Sequence, residues 1–156
     1  VTDNDAAGVA KAARAVAAPV QTWLVTGARA GDREAAIAAH LGLSFGHPQQ
    51  TPVAAALPST VIILEGLSDG SGALAFDPAD GPVGVASVLQ VLRIAPGCLH
   101  CSGNLVLRVT LNRVLRHPPA RLYISLATAE HLELLRAWLS EPPYGDLLDL
   151  QSDIAA

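Results

Sequence analysis

Short apolar runs, most of them bounded by glycine or proline and separated by stretches of helical periodicity, constrain this chain more than any other feature. Val20, Trp23, Leu24 and Val25 form the first run, which stops at Gly27 and reads as a buried strand. Gly27-Ala28-Arg29-Ala30-Gly31-Asp32 follows as a loop. Residues 33–41 then read as a helix, because Ala36, Ile37 and Leu41 recur at helical spacing and Asp32 can serve as its N-cap. Thr60-Val61-Ile62-Ile63-Leu64 is a β-branched second strand, residues 87–95 a third, and residues 121–126, after Pro118-Pro119, a fourth. Residues 105–116 predict a helix with Leu107, Leu111, Val114 and Leu115 inward and Arg108, Asn112 and Arg116 outward. Residues 130–139 predict another, with Leu132, Leu135, Trp138 and Leu139 as its apolar stripe. Strands alternating with helices predict an α/β fold, a mostly parallel sheet flanked by helices. The domain is expected to span residues 19–150, between an alanine-rich tail at 1–18 and a C-terminal tail at 151–156. The stretches 42–59 and 66–84 have no periodicity, and the second is long enough to suggest a functional loop.

Composition narrows the partners. A chain of 156 residues supports one core, and 51% hydrophobic against 15% charged residues excludes disorder as its main state. The net charge of -4 and pI near 5.6 argue against nucleic acid, whose binding domains carry a basic stripe. No apolar run reaches the ~18–20 uncharged residues of a membrane span. Cys98 and Cys101 are too few and too close to staple a secreted scaffold, and residues 1–18 lack the pattern of a signal peptide. The expected compartment is therefore the cytoplasm. Low charge and a sheet with an exposed edge point to a homo-oligomer or a protein partner, and to neither nucleic acid nor a membrane.

A glycine-bearing loop between strand and helix is where a P-loop holds phosphate. With Gly27 as the first glycine of G-x-x-x-x-G-K-[ST], Asp32 falls at the second glycine, Arg33 at the lysine and Glu34 at the hydroxyl position. Gly27, Gly31 and Arg33 are the remaining candidates for a degenerate nucleotide contact. Lys11 is the only lysine of the chain. A carboxylate ~5 Å from a phosphate costs on the order of 3 kcal/mol at an effective dielectric near 20, so Asp32 and Glu34 would repel nucleotide.

Thr26-Gly27, Glu65, the turn Pro96-Gly97-Cys98-Leu99-His100-Cys101, the following Asn104-Leu105-Val106-Leu107-Arg108 and the strand at 121–126 occur in an order that resembles the CobW-like P-loop GTPases. The resemblance covers about residues 20–150 and is most specific at 97–116. It implies a P-loop NTPase-like half domain in a shortened, degenerate relative. Ser125 and Thr128 stand where that family's Walker B strand leads into Glu-x-x-Gly, and no asparagine precedes a lysine as guanine recognition requires. GTPase activity is thus expected to be lost, and nucleotide is not expected as a cofactor.

The same resemblance implies a metal at Cys98, His100 and Cys101, which occupy the three ligand positions of the family's Gly-Cys-x-Cys-Cys turn with histidine replacing the middle cysteine. Thiolate and imidazole suit zinc or a similar transition metal, and three ligands leave one position for water or a partner. The alternative is that the cysteines are small apolar residues capping a strand and a helix. Glu65 resembles the family's switch-loop Glu, although a carboxylate facing water at a strand end accounts for it better. His40, His47, His117 and His131 are scattered, and the outward arginines 108 and 116 read as a solvated helix face. The expected function is a non-catalytic, metal-binding or metal-handling accessory. The alternatives are an interaction module without a ligand and a nucleotide sensor that does not hydrolyse.

Overall fold

The computed structural model describes residues 17–43, 57–66, 73–74, 88–95 and 105–156. It is an α/β fold built on a six-stranded sheet: β1 (Val20–Thr26), β2 (Thr60–Glu65), β3 (Leu89–Ile94), β4 (Arg121–Leu126), β5 (Leu148–Leu150) and β6 (Ile154–Ala155). The order is β3-β2-β4-β1-β5, with β6 also on β1, and every pairing is parallel. Three α-helices lie among the described residues: α1 (Ala30–His40), α2 (Leu105–Val114) and α3 (Leu132–Ser140). A 3-10 turn at Tyr144–Asp146 leads into β5.

Parallel strands are buried on both faces, which is why β2 and β4 are nearly continuous in apolar residues. Alternate side chains feed two cores. Val61, Ile63, Leu122, Ile124 and Leu126 pack with Leu107 and Leu111 of α2 and Leu135 and Leu139 of α3. Ile62, Leu64 and Tyr123 pack on the other face with Ile37 and Ala38 of α1. Helices therefore cover both faces, α1 on one and α2 and α3 on the other.

The chain leaves β1 through α1 and reaches β2 beyond β4, whereas it leaves β4 through α3 and reaches β5 beyond β1. Adjacent strands β1 and β4 thus send their connections over opposite faces in opposite directions. In open α/β sheets this arrangement opens a crevice at the carboxyl ends of such strands.

Several boundaries differ from the sequence reading. Helix α1 begins at Ala30, so Asp32 lies in its first turn; the capping position is Arg29, in extended conformation and with no side-chain cap. The loop is therefore shorter by most of a turn. At its other end α1 stops at a glycine in the left-handed region, Gly42 with φ 72°. Gly42 N donates to Ala39 O at 3.0 Å and Leu43 N to Ala38 O at 2.8 Å, and Leu43 is buried: a Schellman cap. Residues 151–156, which read as a tail, carry β6. Gln151 N donates to Thr22 O and Ala156 N to Thr26 O, both at 2.8 Å, while Arg136 of α3 holds the bend between β5 and β6 through Gln151 O and Asp153 Oδ1.

Candidate functional site

Among the described residues, one buried side chain reaches the crevice at the carboxyl ends of β1, β2 and β4. Arg33 projects from the first turn of α1 and is only 3% exposed. Its Nε donates to Ser125 Oγ at 2.8 Å, Nη1 to Gly27 O at 2.5 Å and Nη2 to Glu65 O at 2.9 Å. The three acceptors sit at or just beyond the ends of β4, β1 and β2 respectively, so the guanidinium ties together three strands and a helix. A guanidinium suits this task because its donors lie in one plane at fixed angles.

Charge in the crevice is balanced. Glu34, also buried, accepts from Arg93 of β3 at 3.0 Å and from Leu74 N at 3.2 Å. Glu65 Oε2 accepts from Ala127 N at 2.8 Å. Burial pulls the Arg33 pKa below its ordinary value, and the Glu65 and Glu34 carboxylates offset only part of that shift. Two cations, Arg33 and Arg93, thus accompany two buried carboxylates, Glu34 and Glu65.

The two glycines of the loop differ in their surroundings. A Cβ on Gly27 would lie 3.1 Å from Ala156 Cβ, Ala156 O and Arg33 Cγ, so the residue after β6 and the stem of Arg33 both favour glycine there. A Cβ on Gly31 would meet nothing within 4 Å. Close packing therefore accounts for Gly27, and nothing in the surroundings requires glycine at 31. Ser125 has a hydroxyl where a Walker B carboxylate is expected, and that hydroxyl accepts from Arg33; Thr128 is exposed.

Cys98, His100, Cys101 and His47 lie outside the described residues. Among the described residues no three His, Cys, Asp or Glu side chains stand together as a metal site. His40 joins a cluster: its Nδ1 is 2.7 Å from Tyr123 Oη, and its ring meets Trp23 edge-on at 5.0 Å. Trp23 stacks on Tyr123 at 5.0 Å, with the Arg121 guanidinium 5.9 Å from the Trp23 ring. The outward face of α2 is also engaged. Arg108 lies over the Trp138 ring at 5.8 Å, and Asn112 Oδ1 accepts from Tyr144 Oη at 3.1 Å.

In the sequence Arg33 and Ser125 stand as unrelated residues, because 92 positions separate the two partners. The aromatic cluster around His40 likewise depends on the β1–β4 register, which sets Trp23 beside Tyr123. Compared with known protein families, with curated proteins and with solved structures, the chain matches none.

Proposed function

We propose that this protein is a non-catalytic α/β module, resembling a CobW-like GTPase whose phosphate crevice has been given over to an internal arginine, and that it serves as a metal-binding or metal-handling accessory. The observation that carries the non-catalytic part is the three-way engagement of Arg33. A nucleotide phosphate in this crevice would displace a guanidinium already satisfied by three protein oxygens, and would then face Glu34 and Glu65. The metal part rests on the sequence of the turn, where Cys98, His100 and Cys101 offer two thiolates and an imidazole.

Cobalt titration under reducing conditions tests it. Thiolate-to-metal charge-transfer bands are expected in the wild type, absent in Cys98→Ala and Cys101→Ala, and weakened in His100→Ala. Acidification should release the metal as thiolates and imidazole take up protons. Wild-type protein with no such bands and no stoichiometric zinc would remove the metal reading.

A second reading, an interaction module, is favoured by the outer side of α2, where Leu105, Val106 and Val109 are 57%, 41% and 61% exposed. Apolar side chains in such a group suit a protein partner or a second copy of this chain. Sedimentation of the wild type against Val109→Lys distinguishes the two readings, because only the interaction module predicts association that this substitution weakens.

A further inference from the structure

We propose that the crevice at the carboxyl ends of β1, β2 and β4 is a guanidinium site whose resident ligand is the chain's own Arg33, and that it takes up a free alkylguanidinium once that side chain is shortened. The inference rests on the reading above that the crevice is closed to nucleotide, and it assigns the slot a ligand class of opposite charge.

The lining carries the argument. Two of the three groups that contact the guanidinium, Gly27 O and Glu65 O, are backbone carbonyls that can only accept, and the third, Ser125 Oγ, accepts here. A phosphate needs convergent donors. A planar cation with donors on three nitrogens instead finds one acceptor for each, from three separate strand ends. An ammonium group would not reproduce this, since its donors radiate from one point and cannot span three such acceptors.

Charge agrees with geometry. The carboxylates of Glu65 and Glu34 favour the charged guanidinium and offset part of the larger desolvation by burial, and Glu34 is itself held by Arg93 and Leu74 N. These supports come from β2, β3 and α1, independently of the side chain that fills the slot. Beyond Glu65 the chain turns at Gly66, with φ 111°, and a Cβ there would lie 4.0 Å from Arg33 Nη2. The slot is thus walled by strand ends and by a turn whose backbone favours glycine.

Arg33→Ala keeps Cβ on a helix that tolerates alanine and removes the equivalent of one ethylguanidinium, leaving its acceptors in place. The test is thermal unfolding of wild type and Arg33→Ala with N-ethylguanidinium chloride at millimolar concentrations, matched in ionic strength with sodium chloride. The variant is expected to gain about 3–5 °C at ten times the Kd, saturably, while the wild type gains nothing. Arg33→Lys, whose stem still fills the slot, should gain nothing either.

Absence of a saturable gain in folded Arg33→Ala overturns the guanidinium site and leaves the closed crevice standing. Stabilisation of the wild type by magnesium-GTP or inorganic phosphate overturns the closed crevice itself. If Arg33→Ala does not fold, the wild type supplies the measurement. The Arg33 Nε–H resonance should exchange with water at least tenfold more slowly than that of exposed Arg29, and should shift in Ser125→Ala. Exchange as fast as that of Arg29 overturns the proposal.

Discussion

Three donors on one side chain, each meeting an oxygen from a different strand end, make Arg33 the residue whose removal the fold should feel most. Truncation leaves Ser125 Oγ, Gly27 O and Glu65 O without the guanidinium that donates to them, and removes one of the two buried cations, Arg93 remaining on Glu34. Arg33→Ala is therefore expected to destabilise by about 3–5 kcal/mol, the usual cost of breaking a buried ionic group, with Arg33→Lys between it and wild type. Urea unfolding measures this, and equal midpoints for all three proteins would contradict the network. Tyr123 sets the behaviour at high pH. Burial raises its pKa above 10.0, against the opposing pull of Arg121, so the folded state holds the phenolic proton longer than the unfolded chain. Stability from this group is complete below pH ~10 and declines as pH rises toward the folded pKa. Tyr144 adds to the effect, since its pKa is raised for the same first reason. Unfolding free energy measured between pH 9 and 11 should fall less steeply in Tyr123→Phe than in wild type.

Among the elements, β6 depends most on its neighbours. Two residues of strand have little intrinsic stability, and β6 persists because Ala156 N bonds to Thr26 O and because Arg136 anchors the preceding bend. Its approach to β1 is close enough that a methyl group at Gly27 would force a shift. Gly27→Ala should thus release β6 before it disturbs the central strands, at a cost of about 1 kcal/mol. Amide exchange supplies the check: protection at Ala156 should drop while protection at Ile124 is retained. Equal protection of both amides in variant and wild type would show that β6 absorbs the methyl group. The strands were the most legible elements, since β1, β2 and β4 lie where their apolar runs predict. Helix starts were less so. Asp32 has the right chemistry for a cap, yet the helix begins three residues earlier than residue 33, because Ala30, Gly31 and Asp32 continue it without steric cost.

For the whole molecule, the parallel sheet and the position of the crevice lead to one functional expectation. No turnover of GTP or ATP above a buffer blank should be found, because the crevice holds a cation bonded to protein and Ser125 offers it a hydroxyl that is already engaged. Turnover that disappears in Arg33→Ala would contradict this, since the arginine would then be acting on phosphate. Among the described residues no helix is long and apolar enough to cross a membrane.

The sequence by itself determined the fold class, because apolar runs of strand length alternating with helical periodicity can be buried only by a sheet with helices packed against it. It also supplies the chemistry at Asp32, Arg33, Glu34 and Ser125, because residue identity alone says which groups can bind phosphate or magnesium. Only the tertiary structure decided that Arg33 fills the space next to Ser125. Strand order brings β1 beside β4 and β4 beside β2, and no local pattern encodes which parallel strands become neighbours. The same is true of β5 and β6. Their short runs have little strand signal of their own, and they become strands because β1 offers an open edge and α3 supplies Arg136 to hold the bend against it.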